Sequence, residues 1–227
     1  MTRPAVVLLS GGLDSATALA MARRDGFDCL ALSFRYGQNH GSEIDAAVDV
    51  ASSADLKRHV IVDIDLRVFG GSALTSEEPV PAFDEHDDSV PITYVPARNT
   101  IFLAYALAFA EVSRARHIFV GVNAVDYSGY PDCRPEFVEA FEELANLATK
   151  AATEDGLRTE IVAPLINMTK GEIVSLGTSL GVDYSRTVSC YSANQQGEAC
   201  GECDSCVLRR RGFAEAGLVD PPVGKLR

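Results

Sequence analysis

A short apolar run, Val6-Val-Leu-Leu9, ends directly in Ser10-Gly-Gly-Leu-Asp-Ser15, and Ser15 to Arg24 then has helical patterning. A strand, a glycine turn and a helix in such quick succession leave few folds open. A helix that follows a buried strand this closely crosses back over the sheet, and the next strand then lies parallel to the first. The chain repeats the alternation: Cys29 to Phe34 reads as a strand, His40 to Ala54 as a helix and Val60 to Ile64 as a third strand. Ile101 to Ala110 is apolar almost all round, which predicts a helix inside the layers and against the sheet. His117 to Gly121 and Ile161 to Leu165 read as the last strands, and Pro135 to Lys150 as a helix with proline in its first turn. Thr169-Lys-Gly-Glu172 has the pattern of a capping box opening a helix to Leu180. Together these predict an α/β fold with an open, mostly parallel sheet and helices on both faces. Thr75 to Pro91, acidic and carrying Pro79, Pro81 and Pro91, is predicted to be an exposed loop or lid of weak order.

Composition narrows the function classes. A net charge of −12 disfavours a polyanionic partner, because affinity for nucleic acid comes from Lys and Arg neutralising phosphates. Six cysteines in 227 residues are too few for a disulfide-built scaffold, so a reduced, cytoplasmic protein is expected. The apolar run Ala5 to Leu9 is too short for a signal peptide or a membrane span. With 47% apolar residues the chain can bury a large core, and the expected organisation is an α/β domain over 1–186 with a C-terminal appendage over 187–227.

The glycine turn sits where a strand meets a helix N-terminus, so its successive N–H groups form an anion site reinforced by the helix dipole. It is not a Walker A loop, since no Gly-Lys-Ser/Thr follows, and it lacks the Gly-x-Gly-x-x-Gly of dinucleotide folds. A bare Gly-Gly would be a tight turn. Here Ser10 and Ser15 flank the glycines and Asp14 adds a carboxylate, a set suited to a pyrophosphate and its magnesium ion. The string resembles the pyrophosphate loop of the N-type ATP pyrophosphatases, enzymes that adenylate a carboxyl or carbonyl oxygen.

Cys190, Cys200, Cys203 and Cys206 fall within one short segment, three of them at Cys-x2-Cys-x2-Cys spacing. A tight turn at Gly201 can aim their sulfurs at one centre, forming a closed four-thiolate zinc knuckle of structural type. The spacing also occurs in iron–sulfur proteins, but no Cys-Pro ending of the ferredoxin kind follows. Cys29 and Cys133 are read as core packing. A short basic helix from Val207 to Ala216 carries Arg209, Arg210 and Arg211, read as a solvated or subunit-contacting face.

Taken with the loop and the knuckle, the strings FRYGQNH (Phe34 to His40), VPARNTIFLAYALAFAE (Val95 to Glu111), GVNAVDYSGYPDCR (Gly121 to Arg134) and CGECDSC give the chain its resemblance to the 7-cyano-7-deazaguanine synthases of queuosine precursor biosynthesis. The resemblance implies an adenine nucleotide alpha hydrolase-like fold and conversion of 7-carboxy-7-deazaguanine, ATP and ammonia into the 7-cyano compound. It also implies a homodimer. A carboxylate is a poor acyl donor, so an adenylate forms first, ammonia gives the amide, and a second activation on the amide oxygen leaves the nitrile; free ammonia is expected because the chain has no room for a glutaminase domain. Leu9, Ser10, Gly11, Gly12, Leu13, Asp14, Ser15, Ala16, Thr17, Ala18 and Leu19 are expected to wrap the ATP phosphates, with Asp14 on magnesium. Asp14, Arg98 and Lys170 are the expected catalytic groups. Arg98 would clamp phosphate or the substrate carboxylate. Lys170, a cation opposing a helix dipole, either meets an anionic ligand or is merely solvated. Gln38, His40, Arg98, Asn99, Asp126, Tyr127, Asp132 and Arg134 are expected around the deazapurine, with Asn99 alternatively a helix cap and His40 equally a helix-start residue. Two other readings are a tRNA-thiolating relative, which the negative charge disfavours, and a nucleic-acid-binding module of the knuckle and the three arginines, which would leave the phosphate loop unexplained.

Overall fold

The two faces of one strand explain the layering. In the computed structural model, which describes residues 3–86, 89–123, 129–194 and 197–223, the first strand β1 (Arg3–Leu8) alternates its side chains between two cores. Val6 and Leu8 enter one core with Leu32, Leu103 and Ile118; Ala5, Val7 and the following Leu9 enter the other with Leu19, Ala47 and Phe119. Both faces are apolar, so the strand is buried on both, as a parallel sheet covered by helices requires.

Along the chain, α1 (Leu13–Arg24), β2 (Phe27–Arg35), α2 (Ser42–Ser53), β3 (His59–Asp63), α3 (Arg98–Ser113) and β4 (His117–Phe119) are followed by α4 (Pro135–Ala148), the single turn α5 (Lys150–Thr153), β5 (Glu160–Val162), α6 (Lys170–Ser179) and α7 (Asp204–Glu215). The sheet runs β3-β2-β1-β4-β5 with every neighbour parallel. Helices α1 and α2 cover one face, while α3 and α4 cover the other. The order reverses between β1 and β4, and open sheets of this kind bind ligands outside the strand C-termini at that point. The expected fold class is therefore what the chain adopts.

Several elements differ from expectation for identifiable reasons. β4 stops at Phe119 instead of Gly121 because Gly121 packs on the start of α1, where an added Cβ would lie 3.0 Å from the Ser15 amide. α4 ends at Ala148 because Thr149 turns to extended geometry. α3 presses Leu103, Ala106, Phe109 and Ala110 on the sheet, yet Tyr105 and Val112 on its outer side are exposed, so it is not enclosed between layers. The capping box at Thr169 and Glu172 is present in both directions. The described residues of the 75–91 segment form no helix or strand, yet they are tied down: Thr75 is buried, Phe83 donates its N–H to the Glu202 carbonyl, and Arg211 stacks over the Phe83 ring.

The C-terminal segment is packed against the α/β layers. Val188 N–H bonds the Gly11 carbonyl, and Cys190, Cys203 and Cys206 share a cluster with Ala46 of α2. Gly212 of α7 abuts Lys170 of α6 so closely that a Cβ there would lie 2.8 Å from the lysine Cβ. Arg209 does not form a solvated face. Its guanidinium is buried, chelates both carboxylate oxygens of Asp220 and donates to the Thr187 and Tyr184 carbonyls. Arg210 bonds the Gly201 carbonyl and Arg211 pairs with Glu85, but both remain exposed, so the solvated face expected of the three arginines holds for these two and fails for Arg209.

Candidate functional site

The glycine turn is packed tightly against the start of α2. Gly11 takes φ 85°, where a side chain would be strained, and an added Cβ would collide with the Glu43 carbonyl at the start of α2. The serines close the turn on itself: Ser10 and Ser15 hydroxyls lie 3.0 Å apart, and Gly12 N–H donates to Ser10 Oγ at 3.2 Å. Gly12, the N-cap of α1, brings no capping side chain; Leu13 N–H donates to Ser189 Oγ at 3.4 Å, and the first turn brings the positive end of the helix dipole to the cavity wall.

Leu9, Ser10, Gly12, Leu13, Asp14 and Ser15 line a cavity of about 1300 Å³, its open mouth included. Ala16, Thr17, Ala18 and Leu19 instead point into the protein, Thr17 against the Tyr184 hydroxyl at 2.8 Å, and they position the turn from behind. Asp14 reaches across to Lys170, with Oδ2 2.6 Å from Nζ. Its other oxygen, Oδ1, is buried with no hydrogen-bond partner. A buried carboxylate oxygen without a donor is the feature that a hard cation such as magnesium would satisfy. The residues present thus fit that ion.

Arg98, the first residue of α3, enters the same cavity, its guanidinium 5.9 Å from the Tyr36 ring centre. Tyr36, Tyr130 and Tyr191 surround it; Tyr130 and Tyr191 hydroxyls lie 3.4 Å apart, and Thr93 Oγ1 is 3.0 Å from Tyr130. Burial pulls the guanidinium pKa down, while the tyrosines and Cys133 raise it further, so it stays charged. Burial pushes the Tyr36 hydroxyl up to about 12, which keeps it a neutral donor.

Other expected contacts lie elsewhere. Asn99 is not the cap of α3: it is the second helical residue, and Asp132 caps it by accepting the Asn99 N–H at 2.9 Å. Asn99 Nδ2 returns a bond to the Asp132 carbonyl and another to Cys133 Sγ. Asn99 and Cys133 line the cavity; Asp132 and exposed Arg134 do not, Arg134 donating to the Pro131 carbonyl. Gln38 lines the cavity but spends its amide on the Tyr36 N–H and the Phe34 carbonyl. His40 bonds Ser42 Oγ at 2.7 Å and opens on a separate surface hollow. Asp126 and Tyr127 lie outside the described residues.

Sequence reasoning passed over Glu43, Tyr36, Tyr130 and Tyr191, all of which line the cavity. For Glu43 a signal existed: it opens the helix after β2, at a strand C-terminus where such sheets bind ligands. Burial pushes its carboxyl up to about 7, against the opposing pull of Arg98.

The four cysteines converge. Their sulfurs all lie within 4.8 Å of one another, and Cys200 and Cys206 are 3.9 Å apart. A tetrahedral ion with sulfur bonds of ~2.3 Å needs sulfurs separated by ~3.8 Å, so the set fits one metal ion. Cys190 and Cys206 both donate to Cys203, which pushes the Cys203 thiol well down. Cys190 and the following Tyr191 connect this centre directly to the cavity wall.

Among the described residues, no helix is long and apolar enough to cross a membrane. The profile of the family described as queuosine biosynthesis protein QueC matches residues 4–217. The 7-cyano-7-deazaguanine synthase of Paramagnetospirillum magneticum is 63% identical over 223 residues, covering 96% of this chain and 97% of that protein. That of Cupriavidus necator is 61% identical over 221 residues, covering 97% of both. Among solved structures, an NMN synthetase from Francisella tularensis shares the fold with a TM-score of 0.53 at 18% identity, over 96% of this chain and 79% of that one. A predicted subunit of tRNA methyltransferase from Methanocaldococcus jannaschii superposes with a TM-score of 0.51 at 14% identity, over 100% of this chain and 96% of the other.

Proposed function

The chain belongs to the family of the queuosine biosynthesis protein QueC, and on that basis we propose that it converts 7-carboxy-7-deazaguanine, ATP and ammonia into 7-cyano-7-deazaguanine. The observation that carries this reading is that one cavity joins the glycine turn, Asp14 with its unpartnered Oδ1, Lys170 and Arg98. Adenylation needs such a set, because charge develops on a departing pyrophosphate and must be met by donors already in place.

The turn's amides hold the phosphates. Lys170 supplies a cation at the same point and orients Asp14, which would hold magnesium; bound there, the ion would supply charge neutralisation of the phosphates. Arg98 draws the substrate carboxylate towards the α-phosphorus by bidentate bonding. The tyrosines offer flat surfaces and hydroxyls for a planar heterocycle. The amide formed from ammonia is then activated on its oxygen in the same site, and loss of that oxygen leaves the nitrile.

Cys190, Cys200, Cys203 and Cys206 would hold zinc as a structural ion. All four donors come from one local segment, and a thiolate set suits zinc's tetrahedral preference. The same reading includes a two-part organisation, 1–186 and 187–227, a reduced cytoplasmic setting and a homodimer, for which the exposed Leu144 and Leu147 on α4 offer apolar surface. Mass spectrometry of protein given ATP, magnesium, ammonium and 7-carboxy-7-deazaguanine tests the activity, with metal analysis on the same sample. A substrate-dependent nitrile and about one zinc per chain are expected; no nitrile from folded, metal-loaded protein would overturn the reading.

A further inference from the structure

The nitrogen in this chemistry arrives as ammonium and leaves as a nitrile, so every one of its N–H bonds must be broken. One proton leaves to make ammonia. Its lone pair then forms the C–N bond as the acyl C–O bond breaks towards AMP, and a second proton leaves to give the neutral amide. When the amide oxygen has displaced pyrophosphate from ATP, the last two protons leave the nitrogen while the C–O bond breaks and the oxygen departs with AMP. A proton acceptor beside the reacting carbon is required at each stage.

Among the described residues that line the cavity, the acids are Asp14 and Glu43, and none is a histidine. Asp14 is committed to Lys170. Glu43 makes no side-chain hydrogen bond to a described residue, faces Arg98 across the cavity, and is fixed to the phosphate end because its main-chain carbonyl packs on Gly11. The glycine turn would hold the phosphates and Arg98 the carboxylate, so the carbon under attack lies between them, within the region that Glu43 faces. We propose that Glu43 is a catalytic residue, the base that removes protons from the nitrogen as it becomes first the amide and then the nitrile. This rests on the nitrile-forming reading above.

Its titration range suits the task, since burial lifts the carboxyl to about 7, where it can both accept a proton and release it between stages. The charged and titratable groups that share its surroundings are Arg98 and Tyr36, with Asp14, Lys170, Tyr130, Tyr191, Cys133 and Arg209 elsewhere on the cavity wall and His40 on the preceding loop.

The test is Glu43→Gln, which keeps shape and removes the acceptor, measured in three assays alongside wild type. Carboxylate-dependent exchange of pyrophosphate into ATP, without ammonium, reports adenylation and should run close to the wild-type rate. Ammonium-dependent amide and nitrile formation should fall about 100-fold or more. Hydroxylamine, a weaker base that is already neutral near pH 7, should still trap the adenylate as hydroxamate. Nitrile at the wild-type rate would overturn the proposal. Loss of exchange with a raised KM for the deazapurine would overturn it in favour of a role in binding the heterocycle's edge, and loss of hydroxamate with exchange retained would overturn it in favour of a positional role. Absence of nitrile in wild type itself would mark failure of the functional reading instead. Should Glu43→Gln not fold, Glu43→Asp decides: slowed nitrile with unchanged exchange supports the base, and an unchanged nitrile rate overturns it.

Discussion

Lys170 Nζ sits 2.6 Å from Asp14 Oδ2, joining the first turns of α6 and α1 across 156 residues of chain. A lysine at a helix N-terminus works against the dipole, and Asp14 is what compensates it. Both side chains are largely shielded, with 12% and 24% exposure. Removing the cation therefore strands a largely shielded carboxylate without its ion-pair partner. Lys170→Ala should lower stability by about 3 kcal/mol and reduce turnover about 100-fold or more. Urea unfolding and pyrophosphate exchange check the two effects separately.

Asp14→Asn should behave differently, because the amide can still accept from Lys170 while offering magnesium a weaker ligand. Folding should persist and ATP-dependent turnover should be lost at all magnesium concentrations. An active variant with an unchanged magnesium requirement would remove Asp14 from the cation site.

The metal centre predicts a coupled loss. Cys203 is the N-cap residue of α7 and lies in the small core with Val188, Cys190 and Ala46. Cys203→Ser should release the metal and lower the melting temperature together, because binding energy at such a site is folding energy. Since Ser189 and Tyr191 flank Cys190 on the cavity wall, chelation should also weaken deazapurine binding. Metal content, a thermal melt and KM in one titration series would show whether the three fall together.

The sheet and the two chemical motifs were legible because each is a local pattern: apolar runs for β1 and β2, glycines before a helix, cysteines at turn spacing. Positions set by distant packing were not. Arg209 reads as a surface arginine within a basic triplet, and only the approach of Asp220, Thr187 and Tyr184 turns it into a buried strut. Asn99 reads as a cap, yet Asp132, 33 residues later, takes that place. Glu43 looks like any acid in a first helical turn until α2 docks on Gly11 and leaves it part-buried on the cavity wall. Asp14 could be picked from its motif, but its pairing with Lys170 could not.

Arg209 supports a further expectation. Its guanidinium holds the 184–187 turn and Asp220 at once, and that turn leads straight into Cys190. Lysine cannot reproduce the forked geometry. Arg209→Lys should cost about 3 kcal/mol by leaving buried acceptors and Asp220 unmatched, readable as a shifted urea midpoint. Arg210→Lys, at an exposed position, should be close to neutral.

Glu43 makes stability depend on pH in a definite direction. An ordinary glutamate titrates at 4.5, and burial in the fold raises this one to about 7. Below the lower value both folded and unfolded chains hold the proton and the group is silent. Between the two, the folded state keeps a proton that the unfolded state has lost, so stability falls as pH rises, by roughly 3 kcal/mol in all. Glu43→Gln removes that dependence. Its stability relative to wild type should therefore rise between pH 5 and pH 8, and parallel curves would remove the burial argument.

Gly11 carries the geometric argument to its sharpest case. Its φ of 85° already disfavours any side chain, by about 1 kcal/mol or slightly more. The larger obstacle is space: a Cβ would collide with the Glu43 carbonyl oxygen and lie 2.7 Å from the Ala47 amide, both main-chain atoms of α2 that no rotamer change can move. Gly11→Ala must therefore push α2 off the glycine turn. The turn would lose its shape at the cavity wall, and Glu43 would leave its place in the cavity with Arg98. Gly26, with a similar φ of 81° but open space around it, provides the control for backbone strain alone. Gly26→Ala should lose stability by about 1 kcal/mol with full activity. Gly11→Ala should lose ATP binding as well, and equal behaviour of the two variants in a nucleotide-binding titration would show that contact with α2 is not what shapes the turn.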